Sequence, residues 1–358
     1  MPDMIFESLI ARRAFSVKDS EKGPLMLRGL RDLVDHHYAS CPPYRNMIDA
    51  VHGRNLSIAR LDAVPYLPAA LFKRMVLAST ANPTLTLQSS GTTGQQPSRI
   101  VVDLETSSRQ SRGLVSTFRP ILGDKRIPLL VIDTRGVITD SRVLTARGAG
   151  VLGMMKFGAK ATFALDAELN LDESVVVNFV DRHKGAPFLI FGFTFLVWVK
   201  LLKALEHSNI DMSNGILVHS GGWKKMEELQ VPNHVFRERL RKAFGLEHIY
   251  NFYGFVEQLG SVFLEAEDGL LYAPNYADVI VRRPGTFEPA AIGETGLLQV
   301  VSLLPKSYPG HSVLTEDLGV IERVDHPEIG RMGKGIRIVG RLPAAELRGC
   351  SDVVAAAA

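Results

Sequence analysis

The first part of the chain spaces its apolar residues as helices do. The run "LMLRGLRDLVDHHY" (25–38) repeats apolar residues three and four positions apart, and the prolines of "CPPY" (41–44) follow it. Residues at that interval share one face of an α-helix, and prolines interrupt helices. We therefore expect residues 1–80 to form a mainly helical N-terminal segment.

From residue 85 onward, short apolar runs alternate with amphipathic stretches. Two of these stretches, 194–208 and 235–245, have helical spacing. Alternation of strands and helices is typical of α/β folds with largely parallel sheets, so the pattern predicts an α/β core over 81–270. The predicted strands are 98–103, 127–133, 187–192, 215–222 and 248–254.

After residue 270 the apolar runs are short, and turns rich in Gly, Pro and Asp separate them. This texture predicts a smaller β-rich subdomain over 271–340, followed by a short, mobile C-terminal segment over 341–358. The most apolar stretch, "PFLIFGFTFLVWV" (187–199), is shorter than the roughly 20 residues that a spanning helix needs. We expect a buried strand and helix there, and no membrane span.

Composition excludes some classes of function but does not indicate a particular one. The chain is 46% hydrophobic, which is enough for a large core, and its net charge is only +3. No block of Lys and Arg resembles a nucleic-acid-binding stripe, so we expect no nucleic-acid partner. The 2 cysteines do not form a disulfide framework and are typical of a reducing, cytoplasmic compartment.

The stretch "LQSSGTTGQQPSRI" (87–100) concentrates Gly, Ser and Thr between two apolar runs. Small residues let several backbone N–H groups approach one anion, and hydroxyl groups add donors. The stretch lacks the GxxxxGK[ST] pattern of P-loop proteins. It is either a surface turn or a phosphate-binding loop of another kind. The candidate phosphate ligands are Ser89, Ser90, Gly91, Thr92, Thr93 and Gly94.

The segment "SSGTTGQQPSR" (89–99) resembles the phosphate loop of adenylate-forming enzymes, which holds the β- and γ-phosphates of ATP. Other segments resemble later motifs of that family, in the same order along the chain. They are "HSGGWKK" (219–225), "NFYGFVEQLG" (251–260), "TEDLG" (315–319) and "IVGR" (338–341). The resemblance implies an α/β fold like the large domain of those enzymes, with parallel sheets, helices and a smaller β-rich subdomain.

The same resemblance implies roles for individual residues, with ATP and Mg²⁺ as cofactors. An aromatic face can stack on adenine, and a carboxylate is a hard oxygen ligand that suits Mg²⁺. One departure is Val256, which stands where the family has threonine. The implied contacts are Gly221, Gly222 and Tyr253 with adenine, Asp317 and Arg341 with ribose, and Glu257 with the metal ion.

Adenylate-forming enzymes usually continue past the GR motif into a C-terminal domain that carries a catalytic lysine. Here only residues 342–358 follow Arg341, so the resemblance implies that this domain and its lysine are missing. Another group must then assist adenylation. Lys224, Lys225 and His219, beside the glycine pair, are the candidates.

The segment "RLPAAELRGCSD" (341–352) places Cys350 shortly after Arg341. A thiolate there could attack an acyl-adenylate and become an acyl thioester; alternatively, Cys350 is an incidental thiol. Together with the short ending, this cysteine resembles that of the acyl-protein synthetases of bacterial bioluminescence, the LuxE-like family. Cys41, before two prolines, is expected to be structural.

This second resemblance implies an ATP-dependent ligase that activates a carboxylic acid, expected to be a fatty acid, as acyl-AMP. The acyl group would pass to Cys350 and then to a partner acyl reductase. Two alternatives stay open: an acid–thiol ligase that uses coenzyme A or a carrier protein, and a non-catalytic nucleotide-binding subunit of a reductase complex. The aromatic residues that are either acyl-pocket walls or ordinary core are Phe191, Phe193, Phe195 and Trp198.

Overall fold

The computed structural model describes residues 2–54, 56–89, 97–139, 143–222 and 230–342. Its helices, numbered in chain order, are α1 (Pro2–Ile10), α2 (Asp19–Ser40), α3 (Pro42–His52), α4 (Leu71–Arg74), α5 (Leu104–Leu122), α6 (Ala146–Met154), α7 (Glu173–Arg182), α8 (Thr194–Leu196), α9 (Lys203–Leu205) and α10 (Asn233–Phe244). A π-helical turn, Val197–Leu202, joins α8 to α9. Short 3₁₀ turns lie at Leu61–Ala63, Arg135–Ile138, Val256–Gln258 and Pro327–Ile329.

The strands form one large mixed sheet and one small sheet. They are β1 (Leu67–Pro68), β2 (Leu85–Gln88), β3 (Arg99–Val102), β4 (Ile127–Thr134), β5 (Val143–Thr145), β6 (Gly158–Leu165), β7 (Phe188–Phe193), β8 (Gly215–Ser220), β9 (His248–Tyr253), β10 (Phe263–Glu265), β11 (Leu271–Tyr272), β12 (Ala277–Arg282), β13 (Thr295–Ser302), β14 (Ser312–His326) and β15 (Arg331–Arg341). The large sheet runs β12-β13-β14-β15-β11-β10-β9-β8-β7-β4-β6, and β1 pairs with β14. The small sheet runs β3-β2-β5.

The N-terminal helices have the apolar face that the spacing of the sequence predicts. In α2 the buried side chains include Met26, Leu30 and Leu33, which recur at helical intervals along one face. This face packs against the antiparallel strands β12 and β13 in one hydrophobic cluster. Helices α1, α2 and α3 lie in this first part of the chain.

The centre of the large sheet is parallel and buried on both faces. Strands β6, β4, β7, β8 and β9 are parallel neighbours. One face packs with α7, the π-helical turn and α10, and the other packs with α5 and α6. Continuous apolar runs such as Leu129–Ile132 follow from this double burial. The predicted α/β fold with parallel strands is confirmed.

The β-rich region continues the same sheet. At β9 the pairing changes from parallel to antiparallel, and β10, β11 and β15 carry the hydrogen bonding onward to β14, β13 and β12. A residue pair far apart in sequence thereby comes together: Asp317 on β14 lies opposite Arg341 on β15. This arrangement brings the late sequence motifs next to the parallel core.

The apolar stretch 187–199 forms β7, α8 and the start of the π-helical turn, as a buried strand and helix. Gly192 lets the strand pass closely under that turn, because a Cβ atom there would lie 2.8 Å from the Val197 side chain. Among the helices in the described part of the chain, none has the length and apolar character that crossing a membrane would require.

Candidate active site

The glycine pair and Tyr253 follow two neighbouring parallel strands at the same edge of the sheet. Ser220, the last residue of β8, is in register with Phe252 of β9, and its hydroxyl donates to the Phe252 carbonyl at 2.7 Å. Gly221 follows with a φ of +84°, and a Cβ atom there would lie 3.1 Å from the Phe193 ring. Ligands of open α/β sheets bind at the carboxyl ends of the strands, so this edge is the candidate site.

Tyr253 and Asp317, predicted to contact adenine and ribose, are joined directly. The Tyr253 hydroxyl donates to Asp317 Oδ2 at 2.8 Å. Burial raises the pKa of Tyr253 well above its ordinary value, and the Asp317 charge acts in the same direction. The phenol therefore stays protonated and remains a donor to this carboxylate.

Arg341 completes this group from the end of β15. Its guanidinium lies 2.9 Å from Glu316 Oε2 and 3.7 Å from Asp317 Oδ1. The Leu342 N–H donates to the Glu316 carbonyl at 2.8 Å, which holds the chain as it leaves the strand. Asp317 thus has a donor on one oxygen and a cation near the other.

Glu257, predicted to hold a metal ion, is buried, with 6% of its surface exposed. Burial raises the pKa of its carboxyl, while nearby Ser98, Lys73 and Arg341 oppose this effect. The next residue anchors the turn, since the Gln258 side-chain amide donates to the carbonyls of Val300 and Gly310, each at 2.8 Å. The carboxyl group is therefore held rigidly in a poorly solvated position.

The base of the predicted phosphate loop is a closed hairpin beside Glu257. Strands β2 and β3 pair antiparallel. Beyond them the Ser89 N–H donates to the Ser98 carbonyl at 3.2 Å, and the Ser98 N–H donates to Ser89 Oγ at 2.8 Å. Ser98 is the residue that lies beside the Glu257 carboxyl. The remaining predicted loop residues, Ser90, Gly91, Thr92, Thr93 and Gly94, lie outside the described residues.

Other predicted residues are also outside the described ranges or have a different environment from the one expected. Cys350, Lys224 and Lys225 lie outside the described residues. His219 is buried in the core, where its Nδ1 lies 3.0 Å from the Thr194 hydroxyl and its ring packs on Phe236. Burial lowers the pKa of His219 to about 3, so it is neutral at pH 7. A buried, neutral His219 does not suit the role of assisting adenylation for which it was a candidate.

The aromatic residues after β7 divide into two kinds. Phe191 and Trp198 are buried in the core, with 0% and 5% exposure. Phe193 and Phe195 are only partly buried, and Phe193 lies against Gly221. Of the two readings, ordinary core describes the first pair, while Phe193 borders the candidate site.

One residue at the site was missed by sequence reasoning. Lys73 lies in α4, within the proline-punctuated segment that follows α3, and its charge acts on Glu257. The preceding strand β1 pairs in parallel with β14, with Leu67 opposite Val313. No motif marks Lys73, and long-range contacts such as this pairing bring it to the site.

Comparison with known proteins decides the family. The family model described as acyl-protein synthetase, LuxE, matches residues 2–358. The chain belongs to this family. It is accordingly a ligase, an acyl-protein synthetase, and the resemblance stated from its motifs is confirmed.

Two curated relatives carry the name long-chain-fatty-acid–luciferin-component ligase. The protein from Aliivibrio fischeri is 24% identical over 333 residues, covering 90% of this chain and 85% of the relative. The protein from Vibrio harveyi is 27% identical over 138 residues, covering 38% of this chain and 35% of that relative.

Solved structures of 2-hydroxyisobutyryl-CoA ligase share the fold. An open conformation in complex with 2-HIB-AMP and CoA superposes with a TM-score of 0.69 at 17% identity, over 92% of this chain and 77% of that chain. The thioesterification state of the same ligase gives a TM-score of 0.67 at 17% identity, over 93% and 70%. The predicted adenylate-forming fold is therefore confirmed.

Proposed function

We propose that this acyl-protein synthetase activates a fatty acid with ATP, takes the acyl group on Cys350 and passes it to a partner acyl reductase. One observation carries the proposal. Three motifs meet at one edge of the sheet beside the hairpin of Ser89: one carries Tyr253 and Glu257, and the other two carry Asp317 and Arg341. Family membership and the name of the Aliivibrio fischeri relative support the choice of a long-chain acid.

In the first step, a carboxylate oxygen of the acid forms a bond to the α-phosphorus of ATP. The bond from that phosphorus to the bridging oxygen breaks, and pyrophosphate leaves with the electron pair. The protein positions the two anions and neutralises charge that develops on the leaving group. Tyr253 would stack on adenine through its partly exposed ring, and Asp317 would accept hydrogen bonds from the ribose hydroxyls.

Glu257 fits a divalent cation, because its buried carboxylate lies beside a hydroxyl and so offers hard oxygen ligands. Bound Mg²⁺ would offset negative charge on the phosphates. Arg341, held by Glu316 at the end of β15, would face the ribose side of the nucleotide. The chain's own task is to keep these groups in place before the nucleotide arrives.

In the second step, the Cys350 thiol loses its proton to solvent, and the thiolate attacks the acyl carbonyl carbon. The bond from that carbon to the AMP oxygen breaks, AMP leaves, and a thioester forms. A second thiolate, on the partner reductase, would then take the acyl group by the same exchange. Cys350 is thus both acceptor and donor.

ATP–pyrophosphate exchange with acids of increasing chain length tests the first step. Intact mass after incubation with ATP and the best acid tests the second. We expect Cys350→Ser to keep exchange within about 2-fold and to abolish covalent acylation, because the thiol does not act before acyl-AMP exists. Cys41→Ala is the matched control, since Cys41 is fully buried between α2 and α3, and it should still be acylated.

The outcomes separate the alternatives. If Cys350→Ser transfers acyl groups to coenzyme A or a carrier protein as fast as the wild type, the protein is an acid–thiol ligase. If the wild type exchanges pyrophosphate with no acid, alone or with the reductase, it is a nucleotide-binding subunit rather than an activating enzyme.

A further inference from the structure

Helix α4, which carries Lys73, is fixed between two strands that lead to predicted nucleotide contacts. On one side it packs against β3, the strand that follows the phosphate loop. On the other side β1 pairs with Val313 and Leu314 of β14, just before Asp317, and the Ala69 N–H donates to the Leu314 carbonyl at 2.9 Å. Backbone hydrogen bonds therefore determine where Lys73 lies.

The inner side of α4 holds this position. Phe72 is fully buried and meets the Tyr308 ring edge-on, with centroids 6.3 Å apart. Tyr308 is in turn close enough to Glu257 to feel its charge. Phe72 therefore anchors the turn to the layer beneath the site, while Lys73 is partly buried and Arg74 is exposed.

Lys73 and Glu257 are electrostatic neighbours. Of the two cations that act on the Glu257 carboxyl, Lys73 has the larger effect and Arg341 the smaller. The Lys73 ammonium is thus close enough to Glu257 to act on its carboxyl, beside which Ser98 of the hairpin also lies. Partial burial of an ammonium group costs solvation free energy, which an anionic ligand offsets. The triphosphate of ATP is an anionic ligand of this kind.

We propose that Lys73 is a catalytic residue whose ammonium group binds the triphosphate of ATP and stabilises the departing pyrophosphate. This inference rests on the proposed function. In adenylation the acid's carboxylate oxygen bonds to the α-phosphorus, and the bridging oxygen leaves with the β- and γ-phosphates and the electron pair. No proton is transferred, and Lys73 stays protonated throughout. A fixed cation near the leaving group lowers the barrier because it gains interaction energy as charge develops there.

The test compares Lys73→Met, Lys73→Arg and Arg74→Met. Lys73→Met removes the charge but keeps the length of the side chain, and Arg74→Met is the matched control on the same turn. We expect Lys73→Met to lower kcat/KM for ATP in pyrophosphate exchange about 100-fold, as loss of a preorganised charge does. Lys73→Arg should retain more activity than Lys73→Met, and Arg74→Met should stay within about 2-fold of the wild type.

Binding is measured separately by calorimetry with magnesium pyrophosphate and with magnesium ATP in the absence of acid. We expect Lys73→Met to bind pyrophosphate about 10-fold more weakly, which is the effect of losing one charge-assisted contact. Equal affinities in Lys73→Met and the wild type overturn the inference. So does a Lys73→Met protein that melts at a lower temperature but, once folded, binds and exchanges normally, since Lys73 then only balances Glu257.

Failure of the proposed function gives a different result. If the wild type exchanges pyrophosphate with no acid, fatty-acid activation is wrong. The difference in pyrophosphate affinity between the wild type and Lys73→Met still decides the role of Lys73, because that measurement needs no acid and no turnover.

Discussion

Two buried carboxylates, Asp278 on β12 and Glu257 after β9, lie beside lysines but differ in the sign of their pKa shift. Burial alone would raise the pKa of Asp278, yet Lys334 and Lys22 outweigh burial and hold it below its ordinary value. For Glu257 burial raises the pKa, and Lys73 and Arg341 do not cancel the effect. The charge of Asp278 is thus balanced within the fold, whereas the charge of Glu257 is balanced only in part.

The Asp278 group joins three parts of the chain. Lys334 Nζ on β15 lies 3.2 Å from Asp278 Oδ1 and donates to the Val279 carbonyl at 2.9 Å. Lys22 comes from α2 and is almost fully buried. This group ties a helix to two strands.

The largest effect should come from removing the balanced carboxylate. Asp278→Asn removes the opposite charge that acts most strongly on both Lys22 and Lys334, and we expect it to lower the free energy of unfolding by about 3–5 kcal/mol. Urea unfolding measures this change. Glu294→Gln is the control, because its ion pair with Arg283 is solvent-exposed and should cost at most about 1 kcal/mol. Equal losses of stability in the two variants would mean that the Asp278 group stabilises the fold no more than an exposed ion pair does.

Removing the unbalanced carboxylate should change function instead of stability. We expect Glu257→Gln to lower pyrophosphate exchange about 100-fold, because a neutral amide is a poor ligand for Mg²⁺. Unfolding should change by less than about 1 kcal/mol, since the amide removes a poorly solvated charge. The exposed Glu267 provides a control, Glu267→Gln. A Glu257→Gln variant with full exchange would remove Glu257 from the site.

A smaller effect is expected from removing the hydrogen bond between Tyr253 and Asp317. Tyr253→Phe keeps the ring and removes the donor to Asp317, which should raise the KM for ATP about 5-fold, the value of one hydrogen bond to a charged group. Tyr250→Phe, on the same strand, should leave KM unchanged. If Tyr253→Phe matches it, the hydroxyl does not help to orient Asp317 toward the ribose.

The pH dependence should be the most subtle difference. Because the pKa of Glu257 is raised in the folded state, this group contributes to folding stability at low pH. The contribution is fully present below the ordinary pKa of 4.5 and is lost as pH rises through the folded-state pKa. Because the pKa of Asp278 is lowered in the folded state, its contribution to folding stability is present above the ordinary pKa of 3.8. This contribution is lost as pH falls through the folded-state pKa. As pH falls from 8 to 5, the wild type should therefore gain stability relative to Glu257→Gln. The difference in free energy of unfolding between the wild type and Asp278→Asn should stay constant over the same range. Urea unfolding across that range checks both gaps, and parallel pH slopes would refute the contrast.

The sequence predicted what depends on local pattern. Apolar runs identified β4, β7, β8 and β9 but missed β6, and the predicted strand 98–103 is the antiparallel β3 of the small sheet. Motif residues such as Tyr253 and Asp317 proved to be neighbours. Domain boundaries at 80, 270 and 340 stay predictions. The structure adds that β10 and β11 join the β-rich region to the parallel core by hydrogen bonds.

What the sequence could not predict depends on long-range pairing or on environment. In the sequence, nothing distinguishes Lys73 from a surface lysine, and its place near the site depends on the pairing of β1 with β14. His219 looks like a functional histidine beside a glycine pair until the strand turns it into the core, where burial keeps it neutral. The π-helical turn after β7 likewise arises within a stretch whose spacing predicts an ordinary helix.

The two-residue strand β1 has a consequence for how the molecule is made. Leu67 and Pro68 can dock only after Val313 and Leu314 have been synthesised. Contacts of such high sequence separation form slowly, and the N-terminal part of a chain leaves the ribosome first. The docking of residues 67–68 on β14 must therefore wait until residues 313–314 have emerged, so this pairing forms among the later events of folding.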